Sequence, residues 1–299
     1  MRDPSAAAAV VFAAVVAAAQ SVDIAAQAVE HAVYVSVVDR AGNPVDGLGP
    51  SDFIVREDRV VREVLRVARA DTPIQIALLV DNSQAADEYV PDIRRGMAAF
   101  INGVTADSAL RHRIAIITLA DRPTINTEYT TDRAQLLKEA QRIFATPGSG
   151  TYLLDGIIET SEGIMQRREP RPVVVAIMTE GPELSLRSYQ RVLEPLRSSR
   201  AAFHAVVVGQ PINTSQDRNI VLAEGTRTTG GRYDTILAGT ALPAKMTQVA
   251  AELTHQYRVT YARPQSLIQP EHITVATTRR GLTARGTPIK PDREPERPR

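Results

Sequence analysis

The sequence predicts an α/β protein: a doubly wound, mostly parallel sheet flanked by helices, with a small N-terminal β subdomain. Two runs carry this prediction, Ile74–Val80 and Pro172–Thr179. Both are dominated by apolar and β-branched residues, and both stop directly before an acid. Runs of this kind are typical of strands buried on both faces of a parallel sheet. Around them strand patterns alternate with helical periods, which indicates βαβ units.

The first residues have the pattern of a secretory signal. Arg2 precedes an Ala/Val run from Ala6 to Ala19, and small residues follow up to Ala28. The run is shorter than the roughly 20 apolar residues that a membrane-spanning helix needs. We therefore expect a signal peptide over residues 1–28, export to the periplasm or the medium, and no transmembrane span in the mature chain. The alternative is an Ala-rich amphipathic or disordered start.

Residues 29–70 are predicted to form the small β subdomain. Three β-rich segments, His31–Val38, Phe53–Glu57 and Val60–Val67, are separated by residues that favour turns. Charged and apolar residues alternate in the last two segments, which is typical of strands with one solvated face. This subdomain is expected to be structural.

Residues 71–262 are predicted to form the main α/β domain. Its helices are expected to begin near Pro91, Asp132, Leu154, Leu186 and Pro243, from 3.6-residue periods and capping residues. Its remaining predicted strands are Arg113–Ala120, a polar edge strand at Thr124–Thr130, Ala201–Val208 and Tyr257–Ala262. After it, residues 263–286 are predicted to contain a β hairpin made of His272–Thr277 and Leu282–Arg285. The Pro-rich, charged residues 287–299 are expected to be disordered.

Composition excludes several classes of function. The chain has no cysteine, so disulfide frameworks, cysteine-zinc sites and thiol nucleophiles are ruled out. The formal charge is only +1 and the arginines are scattered along the sequence, so nucleic acid is not an expected partner. No G-x-S-x-G motif is present, and the glycine-rich run Gly225–Gly231 lacks the Lys-Ser/Thr pair of a phosphate loop.

Four oxygen-bearing residues lie where strands of the main domain end. Asp81 and Ser83 follow the first buried strand, Thr151 lies at the start of a helix, and Glu180 follows the second buried strand. Ligands of open α/β sheets bind outside the carboxyl ends of the strands, so these residues are expected to converge. A set of carboxylates and hydroxyls favours a hard cation such as Mg²⁺.

Together these pieces resemble the von Willebrand factor A (VWFA) domain and its metal-ion-dependent adhesion site (MIDAS). The pieces are D-N-S-Q-A from Asp81, G-S-G-T-Y-L-L-D-G from Gly148 and M-T-E-G from Met178. The segments V-S-V-V-D-R-A-G-N-P-V-D-G-L and D-F-I-V-R-E-D resemble the region ahead of this domain in bacterial VWFA-related proteins. The resemblance implies a metal site made of Asp81, Ser83, Thr151 and Glu180.

The sequence departs from the family pattern at two of the expected ligands. Ala85 stands where the family has a second serine, so one hydroxyl is missing, and Glu180 stands where the family has aspartate. The longer side chain of Glu180 fits poorly into the strict octahedral geometry of Mg²⁺. We therefore expect a degenerate MIDAS that binds Mg²⁺ weakly or not at all.

Two classes of function remain open, and a structural envelope protein that has lost its site is a third, simpler option. The favoured one is an exported, non-enzymatic protein-binding module of the adhesion type, which recognises an acidic group of a protein partner at the strand-end face. The alternative is a divalent-metal-dependent hydrolase or phosphoryl-transfer enzyme that uses Asp81 and Glu180. No catalytic residue with a positioned partner can be named from the sequence. The four site residues are expected to lie on the surface, where substitutions cost little stability.

Export gives the first testable prediction. The mature protein should begin between Gln20 and Val29, because the apolar run is short and small residues follow it. N-terminal sequencing of protein purified from cells measures this directly. A mature chain that still begins at Met1 would contradict export.

Overall fold

The computed structural model describes residues 28–211, 215–264, 270 and 272–289. The predicted signal peptide therefore lies outside the described residues, apart from Ala28, and so do residues 290–299 of the predicted tail. The first strand begins at Ala28 itself, and the last strand runs to Pro288, inside the segment expected to be disordered.

Thirteen strands are named in chain order among the described residues. They are β1 (Ala28–Val38), β2 (Phe53–Glu57), β3 (Val60–Arg62), β4 (Val64–Arg69), β5 (Gln75–Val80), β6 (Arg113–Thr118), β7 (Thr124–Thr130), β8 (Pro172–Thr179), β9 (Ala202–Val208), β10 (Tyr233–Ile236), β11 (Tyr257–Pro264), β12 (Ile273–Thr277) and β13 (Thr283–Pro288).

The helices are α1 (Val90–Val104), α2 (Arg133–Ala140), α3 (Leu153–Arg167), α4 (Tyr189–Ser199), α5 (Gln216–Ile220), α6 (Thr226–Thr229) and α7 (Leu242–Thr254). A π-helical turn, Val221–Gly225, joins α5 to α6. The helix expected from Leu186 starts three residues later, and Leu186 is left 97% exposed. No helix in the described part of the chain combines the length and apolar character needed to cross a membrane.

The main sheet has the order β10-β9-β8-β5-β6-β7, and only the edge strand β7 runs antiparallel to its neighbour. All six residues of β5 and all eight of β8 are buried, as expected for central strands covered on both faces. Asp81 and Glu180 follow adjacent strands, because β5 pairs with β8 in parallel. The predicted fold class is confirmed, with Thr124–Thr130 as its polar edge strand.

Alternate residues of β5 feed two separate cores. Ile76, Leu78 and Val80 pack with apolar residues of α1 and α7 on one face of the sheet. Ala77 and Leu79 point to the other face, which α3 and α4 cover. The two-residue period of the strand thus divides one apolar run between two helical layers, and the sheet between them is rigid enough to fix the loops at its ends.

A second layer of antiparallel strands is built from both ends of the described chain. Its sheets have the orders β13-β1-β11-β4 and β12-β2-β3. The predicted strands at residues 272–277 and 282–285 are present, but the hairpin between them is wrong, since β12 pairs with β2 and β13 with β1. Strand β11, expected in the main domain, also pairs with β1.

The strand pairings differ from the predicted hairpin for a physical reason. Val33, Val35 and Val37 of β1 need a covered face and two hydrogen-bonding neighbours. Residues 29–70 supply part of the apolar cover, but both neighbouring strands, β11 and β13, come from later in the chain. The later strands complete this layer, so residues 29–70 are not closed on themselves. Periodicity identifies a strand but does not identify its partner.

Burial of β5 gives a stability prediction. Val80→Asp should abolish folding, since Val80 is 0% exposed and a carboxylate there would be buried without a partner, at a cost of about 4 kcal/mol or more. Val61→Asp is the matched control, because Val61 on β3 is 59% exposed. Urea unfolding of both variants measures the difference. Equal stability of the two variants would contradict the assignment of β5 as the central buried strand.

Candidate functional site

Asp81 connects the ends of the two central strands. It is 0% exposed, directly after β5. One carboxylate oxygen, Oδ1, accepts a hydrogen bond from the Ser83 backbone N–H at 2.9 Å. The other, Oδ2, accepts from both the backbone N–H and the hydroxyl of Thr179, at 3.0 and 2.5 Å. Its negative charge is therefore satisfied within the protein by three donors, which fix the end of β8 against the loop after β5.

Asn82 holds three loops together at the same edge. Its side-chain oxygen accepts hydrogen bonds from the backbone N–H groups of Leu119 and Ala120 after β6, at 3.1 and 2.8 Å. Its side-chain nitrogen donates to the Thr146 hydroxyl at 3.3 Å and to the Phe144 carbonyl at 3.5 Å. The sequence places Asn82 with Asp81 and Ser83 at the strand end, but its contacts could not be predicted because the partner loops are distant in sequence.

Ser83 and Thr151 are the two predicted hydroxyl ligands. Both are 0% exposed, and neither side-chain oxygen has a hydrogen-bond partner among the described residues. Thr151 bridges two loops by its backbone, since its N–H donates to Pro182 O and its carbonyl accepts from the Leu184 N–H. A buried hydroxyl without a hydrogen-bond partner lowers the stability of a fold and is uncommon in native proteins. This centre contains two such hydroxyls.

Glu180 is paired with an arginine that the sequence did not single out. Its carboxylate lies 3.2 Å from Nη1 of Arg218, and the two side chains are 8% and 0% exposed. Arg218 also donates from Nη2 to the Thr179 carbonyl at 2.8 Å. Arg218 lies on α5, far from Glu180 in sequence, so no local pattern could have predicted the pair.

The helix behind Thr151 is capped from a neighbouring loop. Helix α3 begins at Leu153, as expected for a threonine near a helix N-terminus. The Leu153 N–H donates to the Glu183 carboxylate at 3.2 Å, and the same carboxylate accepts from the Ser185 N–H at 3.0 Å. Burial raises the pKa of Glu183. The positive end of α3 is thus already occupied by an acid of this chain.

The expectation that the site residues form an exposed surface is wrong. Asp81, Ser83 and Thr151 are fully buried, because the loops after β5 and β8 close over them. Ala85 packs here against Gly181, where an added Cβ would come within 2.6 Å of the Ala85 Cβ. The four predicted residues lie around one centre at the strand ends, but that centre is an internal polar core. Substitutions there are therefore not cheap in stability.

These residues do not fit a divalent cation as they stand. The unpartnered hydroxyls of Ser83 and Thr151 are suitable ligands. Against them, Asp81 uses both oxygens for hydrogen bonds, Glu180 faces a guanidinium and Ala85 offers no oxygen. Among the described residues, no group of three or more His, Asp or Glu side chains is arranged to hold a metal ion.

Comparisons with known proteins agree with this topology. The sequence matches no protein-family model and no curated protein. Proximal thread matrix protein 1 from the mussel byssus, solved with a zinc-occupied MIDAS motif, is 17% identical, with a TM-score of 0.50 over 68% of this chain and 50% of that one. The von Willebrand factor type A protein from Catenulispora acidiphila is 10% identical, with a TM-score of 0.48 over 88% of this chain and 74% of that one.

The chain has the von Willebrand factor A fold. A third structure, BatB from Bacteroides thetaiotaomicron, is 12% identical, with a TM-score of 0.44 over 60% of this chain and 98% of that one. At such identities the likeness establishes the fold alone. This chain also spans only half of the mussel protein. What the strand-end centre of this von Willebrand factor A fold does must therefore be argued from its own residues.

Two histidines of the fold are buried, and neither belongs to the strand-end centre. Nδ1 of His112 accepts a hydrogen bond from the Ile74 N–H at 3.0 Å, and burial lowers the pKa of His112 to about 4. Burial also lowers the pKa of His204, in β9, to about 4. Both are neutral near pH 7 and serve the packing of the sheet.

The bonds of Asp81 give a prediction about stability. Asp81→Ala should lower the free energy of unfolding by about 3 kcal/mol or more, because three donors lose their acceptor in a dry interior at about 1–3 kcal/mol each. Asp107→Ala is the matched control: Asp107 is exposed and accepts one bond, from the Ala109 N–H. Its loss should cost only about 1 kcal/mol. Chemical denaturation measures both, and an equal, small cost would show that the Asp81 network contributes little.

Proposed function

We propose that this chain is an exported, non-enzymatic protein-binding module, and that its partner docks on the rim of loops around the strand-end centre. The observation that carries the proposal is a set of exposed apolar side chains at this edge. They are Phe144, Leu184, Leu186 and Leu237, with exposures of 65%, 44%, 97% and 72%. Large exposed apolar side chains in loops at one edge of a rigid sheet are typical of interaction surfaces.

The rim residues are anchored by the polar centre beneath them. The Phe144 carbonyl is held by Asn82, and the guanidinium of Arg94 lies over the Phe144 ring, 4.4 Å from its centroid. Leu184 donates its backbone N–H to the Thr151 carbonyl, and its side chain packs against Gly150. Leu237 directly follows β10, where Ile236 accepts a bond from the Gly209 N–H beside Glu180. Rigid anchoring of this kind lowers the entropic cost of binding.

An acidic group on the partner is part of this proposal. Arg94 is half-buried at the rim and donates Nε and Nη2 to the Ile143 carbonyl, at 2.9 and 2.7 Å, which fixes the guanidinium in place. A partner with an acidic residue beside an apolar one would meet both Arg94 and Phe144. The hydroxyls of Ser83 and Thr151 are too deeply buried for this contact.

The enzymatic alternative has less support. A hydrolase or phosphoryl-transfer enzyme would need carboxylate oxygens free to bind a metal or move a proton. Both oxygens of Asp81 accept internal hydrogen bonds, and Glu180 is paired with Arg218. Export is supported by the signal pattern of residues 1–28.

Partner capture tests the rim directly. The double variant Leu186→Ser/Leu237→Ser should keep the fold but weaken partner binding about tenfold or more, since the few residues that anchor an interface cost about 2 kcal/mol or more when truncated. Parent and variant are used to capture partners from envelope extract. Affinity for the captured protein, once purified, is then measured by calorimetry.

The matched control is Val60→Ser/Val61→Ser, because these residues are 54% and 59% exposed on β3, away from the rim. The control should bind like the parent. If the rim variant binds normally and the control does not, the partner docks on the β layer and the proposed use of the strand-end rim is wrong.

A further inference from the structure

Arg218 is the most heavily buried cation in the described structure, and it lies at the strand-end centre. Among the described residues, it is one of the largest side chains with less than 2% exposure, and its own exposure is 0%. A guanidinium cannot lose its charge at physiological pH, so burying it is expensive unless a carboxylate accompanies it. The partner carboxylate is Glu180, one of the four residues of the site.

The contacts of Arg218 place its charge where adjacent strands end. Nη1 meets Glu180 after β8, Nη2 meets the Thr179 carbonyl, and the hydroxyl of Thr179 in turn donates to Asp81. Thr179 therefore links the Arg218 guanidinium to the Asp81 carboxylate through hydrogen bonds. Glu180 thus contacts this permanent cation directly, whereas Asp81 is linked to it only through Thr179.

The helix that carries Arg218 is built to hold it there. Ser215 caps α5 by accepting a hydrogen bond from the Arg218 N–H at 3.3 Å. Asp217 of the same helix accepts from the Tyr189 N–H at 2.8 Å, which ties α5 to the start of α4. Arg218 thus enters the centre on a helix fixed at two points.

We propose that Arg218 is the resident cation of the strand-end centre, and that by neutralising Glu180 it lets the rim form and bind its protein partner without a divalent metal. The Glu180 carboxylate is then paired with the guanidinium through Oε2, and the centre needs no second positive charge. Ala85 and Glu180 both weaken a metal site. They agree with a centre in which the Arg218 side chain supplies the positive charge in place of a bound ion. This inference rests on the proposed function only in its last step, the docking of a partner on the rim.

Thermal melting with and without Mn²⁺ tests the inference without any partner. The parent should melt at the same temperature in EDTA and in Mn²⁺. Arg218→Met removes the cation and leaves Glu180 charged, so this variant should be destabilised in EDTA. At a hundredfold excess over its dissociation constant, Mn²⁺ should raise the melting temperature of the variant by about 5 °C or more.

Two matched variants separate the charge pair from simple packing. Arg218→Met/Glu180→Gln carries neither charge, so it should not respond to Mn²⁺ and should be less destabilised than the sum of the two single variants. Arg218→Lys keeps a positive charge and should also not respond to Mn²⁺. Should Arg218→Met fail to fold, calorimetric titration of Mn²⁺ into the parent and into Glu180→Gln still decides the question.

The outcomes that overturn the inference are specific. One is a parent that binds Mn²⁺ in a manner that Glu180→Gln abolishes, which would mean that a metal displaces Arg218. Another is a folded Arg218→Met that is as stable in EDTA as the parent and gains no response to Mn²⁺, which would mean that Glu180 is not the group the guanidinium neutralises. Partner binding lost in EDTA and restored by Mn²⁺ would also overturn the inference, while leaving the rim proposal intact.

Discussion

The carboxylate of Asp81 is the constraint on which the strand-end region depends. A charge in a dry interior is tolerated only when donors surround it, and the three donors of Asp81 come from the loop after β5 and from the last residue of β8. Satisfying this one charge therefore fixes the path of the chain after β5 and after β8 together. Asn82, the next residue, extends the same constraint to the loops after β6 and α2. Four loops are set by two adjacent side chains.

The apolar rim lies outside this polar layer, and the two parts differ in how well they tolerate substitutions. The polar layer must keep its geometry, because every unmet donor there is costly. The rim residues are exposed, so substitutions among them should cost little stability. Arg218 belongs to the polar layer, and its charge balances Glu180 from below the rim. Substitutions in the rim should therefore leave the Glu180–Arg218 ion pair unchanged.

Much of the main sheet could be predicted from the sequence, because β5 and β8 are apolar throughout and end at acids that mark their carboxyl ends. The convergence of Asp81 and Glu180 followed from the parallel order of those strands. The burial of Asp81, Ser83 and Thr151 could not be predicted, since it depends on how loops distant in sequence close. Arg218 was missed for the same reason. The hairpin error arose because alternation specifies which face of a strand is buried, and β12 and β13 satisfy it equally well with other partners.

The pairing of β1 with β11 and β13 has a consequence for how the chain reaches its native state. Gln256, just before β11, bonds to Ser36 of β1 across a separation of 220 residues. Strand β1 is synthesised before the α/β domain, and its hydrogen-bonding neighbours β11 and β13 are synthesised after it. The edges of β1 therefore stay unpaired until synthesis of that domain is complete. Long-range closure of this kind slows folding and leaves unpaired strands open to wrong partners. Late closure of this layer therefore prolongs the time during which β1 stays unpaired.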